Sequence, residues 1–96
     1  MEYLKKHLQH ARKNLLANHQ YYLDSRLRFT IWNHINRRLH DPDKGCIEAE
    51  MAELRHCKRY KRRLKWWIER TAHLLTLIQE RRILDARHFR NSGYIN

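Results

Sequence analysis

The chain has 96 residues, with 21 Lys and Arg against 10 Asp and Glu, so its formal net charge is +11 before any of the eight histidines is protonated. A chain this short forms one domain, and 42% apolar residues allow a modest core, which excludes a disordered basic tail. Two cysteines exclude a multi-disulfide framework, and the short apolar runs exclude a membrane-spanning helix. The first residues lack the apolar run of a secretory signal, so we expect a cytoplasmic protein.

Residue types that favour helices dominate the composition. Valine is absent, and the only strong helix breakers are Pro42, Gly45 and Gly93. Leu, Arg, Lys and Glu are good helix formers, whereas strands favour β-branched residues. The sequence therefore predicts an all-α domain.

The first predicted helix covers about residues 2–39. Apolar residues recur in it at alternating steps of four and three, which is a heptad seam with polar interruptions. A second apolar stripe lies beside the seam. The seam consists of Leu4, Leu8, Ala11, Leu15, Asn18, Tyr22, Ser25, Phe29, Trp32 and Asn36, and the second stripe of Leu16, Leu23, Leu27, Ile31, Ile35 and Leu39.

The strongest break in the chain is the predicted turn at residues 40–45. Pro42 disfavours helical geometry at Asp41, and Gly45 adds turn chemistry. A second helix is predicted over about 46–90, with acidic residues in its first turn and a short tail at 91–96. Its seam consists of Cys57, Tyr60, Leu64, Trp67, Thr71, Leu74 and Ile78.

Two such helices predict a long antiparallel hairpin. A lone hairpin would leave the second stripe of the first helix exposed to water, so we expect two copies to pair into a four-helix bundle homodimer. The alternative is a first helix broken near residues 18–25, which would fold back into a compact three-helix monomer.

The charge is concentrated rather than uniform. Residues 41–53 hold five acids against Lys44 alone, a net charge of −4. Residues 55–70 hold eight Lys and Arg against Glu69 alone, a net charge of +7. Positive charges crowded in this way repel one another unless an anionic partner is present.

This basic segment contains the candidate macromolecule-binding residues. Helical spacing places Arg55, Arg59, Arg63, Trp66 and Arg70 on one stripe, and Lys58, Arg62 and Lys65 on a stripe across the apolar seam. Guanidinium groups suit bidentate contacts to phosphate, and Trp66 can stack on a base or anchor a protein partner. The candidate binding residues are Arg55, Lys58, Arg59, Arg62, Arg63, Lys65, Trp66 and Arg70.

Other residue clusters carry weaker signals. Glu53 and His56 have the spacing of a di-metal site in helical bundles, but a solvated i,i+3 pair is favoured and no metal is expected. Cys46 lies where the second helix begins, and the helix dipole favours a thiolate there. Trp67 and Trp32 lie on the two seams and are predicted to be core residues.

The sequence contains no phosphate-binding glycine loop, zinc signature or nucleophile elbow, so we expect a non-enzymatic protein without cofactor or small-molecule substrate. The favoured hypothesis is an interaction protein that binds and modulates another macromolecule through the basic, Trp-bearing face. Small basic helical proteins of phages and mobile elements often act in this way on proteins of nucleic-acid metabolism or packaging. Direct, weakly sequence-selective nucleic-acid binding is the alternative, and peripheral membrane-surface binding is the third hypothesis.

Overall fold

The computed structural model describes residues 2–93, and the side chains of residues 2–88. It contains two helices, α1 (Glu2–Arg38) and α2 (Lys44–Gly93), which pack antiparallel as a rod of 83 × 18 × 13 Å. No strand occurs in the described part of the chain. The predicted all-α class and the long helical hairpin are therefore confirmed.

Helix α1 is continuous, so the predicted alternative of a break near residues 18–25 is wrong. The polar residues of this stretch satisfy themselves against their own helix. The Asn18 side-chain amide donates to the Asn14 carbonyl at 2.8 Å, and the Ser25 hydroxyl donates to the Tyr22 carbonyl at 3.0 Å. Because these bonds lie within α1, both side chains fit into the seam without interrupting the helix.

Helix α2 begins at Lys44, two residues before the predicted start. Asp43 caps it, because the Cys46 backbone N–H donates to Asp43 Oδ1 at 2.8 Å and the Ile47 N–H donates to the Asp43 carbonyl at 3.2 Å. This corrects the expected acidic first turn: the first turn of α2 contains no acid, and Glu48 follows it. The Asp43 carboxylate supplies the negative charge that favours a helix N-terminus.

The other end of α2 also differs from the prediction. The helix continues through residues 91–93, which were predicted as the start of a tail, and ends at Gly93. The remaining predicted tail, residues 94–96, lies outside the described residues. Side chains 79–88 are all exposed. Because α2 has 50 residues and α1 has 37, the last turns of α2 extend past the beginning of α1.

The predicted seams form the contact between the helices. Every seam residue named for α1 and α2 is buried or half-buried. The buried apolar residues gather at the end of the hairpin away from the turn, and Leu4 and Trp67 pack against them. This core consists of Leu8, Ala11, Leu74 and Ile78.

Polar contacts hold the half of the hairpin nearest the turn. The Asn36 amide donates to the Cys46 carbonyl at 3.0 Å and to Glu50 Oε1 at 3.2 Å. Farther from the turn, Arg28 Nε donates to Glu53 Oε2 at 3.0 Å. These bonds fix the register of the helices, so that the outward faces of α2 are defined relative to α1.

The second stripe of α1 is exposed along its whole length in the hairpin. Residues four apart on a helix form an inclined ridge, and the members from Leu23 to Leu39 follow that spacing. The hairpin buries the seam and leaves this ridge uncovered, as the sequence predicts for a single copy.

Candidate anion-binding face

The basic segment of α2 lies on the side of the helix that faces away from α1. Its candidate cations are all exposed except Arg70, which is half-buried. The seam residues Tyr60, Leu64 and Trp67 interrupt the segment at helical spacing and turn inward, so the residues between them turn outward. Placement of these charges therefore follows from the heptad pattern.

Five of the predicted binding residues surround one shallow depression of about 430 Å³ on α2. No apolar side chain and no residue of α1 lines it. We call this feature the basic depression. It is lined by Arg55, Lys58, Arg59, Arg62 and Arg63.

The basic depression corrects the predicted arrangement of two separate basic stripes. Lys58 and Arg62 were placed across the seam from Arg55, but the three residues line the same depression. Steps of three, four and seven residues all return to one helix face. The two stripes therefore meet on the outer side of α2, and the seam does not divide them.

Carboxylates do not neutralise the basic depression. Within the described residues, ion pairs join Arg28 to Glu53, Lys44 to Glu48, and Arg81 to Asp85, and none includes a cation of the depression. Among the five cations, Arg63 lies near an aromatic ring: its guanidinium carbon is 5.8 Å from the centre of the Tyr60 ring. The positive charge of the depression is thus not compensated by a carboxylate of the described residues.

The remaining predicted binding residues lie outside the basic depression. Lys65 lines a neighbouring depression together with Arg62. Trp66 is 56% exposed, and its ring packs edge-on against the ring of Trp67, with 4.7 Å between the ring centres. Trp67 in turn packs against the core, so Trp66 is an exposed aromatic held by a fixed neighbour. Trp32 is half-buried, as its seam position predicts.

The acids near the turn have structural partners. Asp43 caps α2, and the hydrogen bond from the Cys46 backbone lowers the pKa of its carboxyl group. Glu50 accepts from Asn36, and Glu53 accepts from Arg28. Glu48 lies 3.8 Å from Lys44. Three of the five acids of residues 41–53 thus take part in the cap or in contacts between the helices.

The expected thiolate at Cys46 is wrong. A hydrogen bond to the Asp43 side chain, together with desolvation and the negative charge of Asp43, raises the pKa of the Cys46 thiol. The capping carboxylate cancels the effect of the helix terminus on the thiol, because a nearby negative charge disfavours a second one.

Glu53 and His56 lie near each other as the i,i+3 spacing predicts, with 3.9 Å between His56 Nδ1 and Glu53 Oε2, but the Glu53 side chain is only 17% exposed, so the pair is not the solvated one expected. The same oxygen of Glu53 also accepts from Arg28, which ties it to α1. In the part of the chain with described side chains, no three His, Cys, Asp or Glu residues are grouped as metal ligands.

Two further depressions were missed in the sequence, because residues of both helices line them. The far groove lies near the core and has Leu8, Leu75 and Ile78 as its apolar lining. The middle groove lies nearer the basic depression and is lined by Tyr22, Leu64 and Ile68 with neighbouring basic side chains. A sequence signal for them exists in α2, where Lys61, Ile68, Leu75 and Arg82 recur at steps of seven.

Comparison with protein-family models, with curated proteins and with solved structures finds no match for this chain. Neither helix, over its described residues, contains a stretch that is long and apolar enough to cross a bilayer. The surface of the hairpin is therefore the basis for inferring a function.

Proposed function

We propose that the protein is a non-enzymatic helical module that binds an anionic macromolecule through the basic, Trp66-bearing outer face of α2. The observation that carries the proposal is the basic depression, in which five cations lie together without a carboxylate partner. Bringing like charges together costs free energy unless an anion compensates them. A bound polyanion removes that cost.

Nucleic acid is the favoured ligand. Four of the five residues of the depression are arginines, and the planar guanidinium matches phosphate geometry in bidentate contacts. The distance along α2 from Arg55 to Arg63 is about 12 Å, and extension to Arg70 makes it about 22 Å. A surface of this length can contact several phosphates in succession, with Trp66 available to stack on a base.

The acids near the turn bear on the choice between nucleic acid and a protein as the partner. The sequence favours a protein partner partly because acid is concentrated at one end of the chain. In the hairpin, Asp43, Glu50 and Glu53 each serve the fold through a cap or an interhelical hydrogen bond. The basic face belongs to a segment of net charge +7 and holds the densest group of cations without a carboxylate partner, which supports a polyanion such as nucleic acid.

A protein with an acidic surface is the second candidate, and the exposure of Trp66 supports it. Tryptophan and arginine are among the residue types enriched in the few central residues that contribute most to protein binding. A regulator that binds a protein of nucleic-acid metabolism or packaging would use the same face. Membrane-surface binding ranks third, because most of the apolar seam that would enter lipid is used between the helices.

Fluorescence anisotropy with a 20-base-pair DNA of arbitrary sequence and with a single-stranded RNA tests the first candidate. Neutralising about five phosphates predicts a slope of roughly −4 to −4.5 in log affinity against log salt for duplex DNA. Binding should be insensitive to a change of DNA sequence. A slope near zero would contradict the proposed backbone contacts.

A pull-down with and without nuclease separates the two candidates. Recovery that is lost after nuclease treatment supports nucleic acid as the ligand. A protein recovered in stoichiometric amount after nuclease treatment, with retention that Trp66→Ala abolishes, supports the second candidate instead.

We also propose that two copies pair through the exposed ridge of α1. Four apolar side chains are buried in the described part of the hairpin, whereas the six members of the second stripe remain exposed. Covering that stripe with its equivalent in a second copy would stabilise both. Light scattering tests this: a 24 kDa species, twice the 12.0 kDa chain, is expected, and Leu27→Glu should return it to 12 kDa.

A further inference from the structure

The far groove and the middle groove lie in line on one flank of the hairpin. The residues Lys61, Ile68, Leu75 and Arg82 follow one another at steps of seven, which return to nearly the same face of a helix. Lys61 and Ile68 line the middle groove, and Leu75 and Arg82 line the far groove. From Lys61 to Arg82 this flank is about 32 Å long. The two depressions share no lining residue, and we call them together the flank groove.

The lining of the flank groove combines apolar side chains with cations, which come from both helices in the far groove and from α2 alone in the middle groove. In the far groove, Lys5 and Arg12 of α1 lie opposite Arg82 of α2. In the middle groove, Lys61 and Lys65 accompany Ile68. No carboxylate lines either part.

Exposed apolar area marks the flank groove as a surface that the hairpin does not use for itself. Ile68 is 50% exposed and Leu75 is 42% exposed, although Leu74 beside it is buried. The far groove has a volume of about 480 Å³ and the middle groove about 430 Å³. Contiguous apolar surface with a polar rim is typical of interaction sites.

The chemistry of the flank groove identifies the class of its ligand. Apolar side chains favour apolar side chains of a partner, and the cations beside them favour carboxylates and repel basic groups. A helix about 20 residues long matches the length of the groove, with apolar residues at i, i+3, i+4 and i+7 entering it. Phosphate backbone alone would leave the apolar lining in water.

We propose that the flank groove binds an acidic amphipathic helix of a protein partner. This surface is separate from the basic depression, and the inference does not depend on nucleic-acid binding there. Arg62 is the one residue that lines both. The apolar residues of the partner helix contact Ile68 and Leu75, and its acidic residues face the cations that line the groove.

The test uses a fluorescein-labelled 21-residue peptide with leucines at heptad a and d positions and glutamates on its flanks. A peptide of the same composition in scrambled order is the control for charge alone. We expect the amphipathic peptide to bind at least about tenfold more tightly than the scrambled one in fluorescence anisotropy, because only the ordered stripe fits the groove. Equal binding of the two peptides would overturn the proposal.

The protein variant for the test is Ile68→Gln/Leu75→Gln, which keeps good helix propensity and alters only exposed side chains. The expected result is a loss of at least about tenfold in peptide affinity, with unchanged circular dichroism and unchanged DNA affinity. The matched control is Ile83→Gln/Leu84→Gln, where equally exposed apolar residues lie outside the groove. It should bind the peptide as the unmodified protein does.

Two outcomes would overturn the inference while leaving the proposed function intact. One is peptide affinity that Ile68→Gln/Leu75→Gln leaves unchanged. The other is a dimer of the unmodified protein that the same substitutions dissociate in light scattering, because a second copy would then occupy the groove. Loss of DNA binding on Arg59→Glu with peptide binding retained would support two separate surfaces.

Discussion

The basic depression and the flank groove use the same kinds of charged side chain but differ in what lies between them. The depression contains cations alone, all contributed by α2. The flank groove combines apolar residues of both helices with its cations. Arginine and lysine therefore do not by themselves determine which ligand binds. Cations without apolar neighbours suit phosphate, whereas cations beside apolar side chains suit an acidic amphipathic helix.

The largest effect is expected from Leu74→Ala, which weakens the packing between the helices. It distinguishes the two surfaces, because both helices line the flank groove and α2 alone lines the basic depression. Leu74 is 2% exposed, and removal of a buried leucine side chain costs about 2–5 kcal/mol of unfolding free energy. Urea denaturation should show this loss, and peptide binding should fall with it because the groove needs both helices. The neighbouring Leu75→Ala should cost less than about 1 kcal/mol, since Leu75 is half-exposed. Equal losses for the two variants would contradict this account of the core.

Charge reversal at Arg59, Arg62 and Arg63 should abolish the function of the basic depression without unfolding the chain. Replacing all three by Glu should lower DNA affinity by at least about 100-fold at low salt, since three phosphate contacts become repulsive. Anisotropy measures the affinity and circular dichroism the fold. The control is Lys6→Glu/Lys13→Glu/Arg38→Glu, which changes the net charge equally on exposed positions of α1. If both triple variants lose the same affinity, net charge rather than the depression governs binding.

Single alanine variants should sharpen the boundary between the surfaces. Arg62→Ala should weaken both DNA and the amphipathic peptide by about tenfold, because Arg62 lines both sites. Arg59→Ala should weaken DNA alone, and Lys61→Ala should weaken the peptide alone. Titrations of each variant with both probes provide the measurement. A uniform effect of all three variants on both probes would show that the surfaces are one.

The smallest effect is expected at the turn, which belongs to neither surface. In a Cys57→Ser background, Asp43→Asn should speed alkylation of Cys46 at pH 8.5 a few-fold, because loss of the Asp43 charge lets the raised pKa of the thiol fall. Asparagine still caps the helix. The pKa of Asp43 is lowered in the hairpin from about 3.8. Its contribution to stability is therefore present above that pH and is lost as the pH falls through the lowered value.

Alkylation of Cys46 is followed by mass spectrometry, and both DNA and peptide affinities should stay unchanged. A slower reaction in Asp43→Asn would contradict the role given to the carboxylate. A change in either affinity would extend one of the surfaces to the turn.

The heptad steps of the sequence suffice to predict which residues pack between the helices. All ten predicted seam positions of α1, from Leu4 to Asn36, are buried or half-buried. Periodicity succeeds here because a helix presents one face to its partner whatever the partner is. The polar seam residues Asn18 and Ser25 suggest a break in the first helix, and their hydrogen bonds within α1 show why the helix stays continuous.

What the sequence could not provide depends on side-chain contacts and on register. The thiolate expected at Cys46 ignored the Asp43 carboxylate, which approaches it once Asp43 becomes the cap. The basic residues were divided into two stripes, although Lys58 and Arg62 lie with Arg55. The flank groove needs the pairing of Leu8 with Ile78, which are 70 residues apart and whose alignment no periodicity of one helix specifies.

The position of the small apolar core has a consequence for how the rod holds together. The turn joins the helices covalently at one end, and the core with Leu8 and Ile78 joins them at the other. Closing so long a loop costs more chain entropy than closing a short one, although the cost rises only logarithmically with length. The buried core therefore lies at the contact whose formation closes the longest loop. Within the paired part of the hairpin, amides between the turn and the core should therefore exchange faster than those at the core, and the exposed residues 79–88 of α2 should exchange faster still.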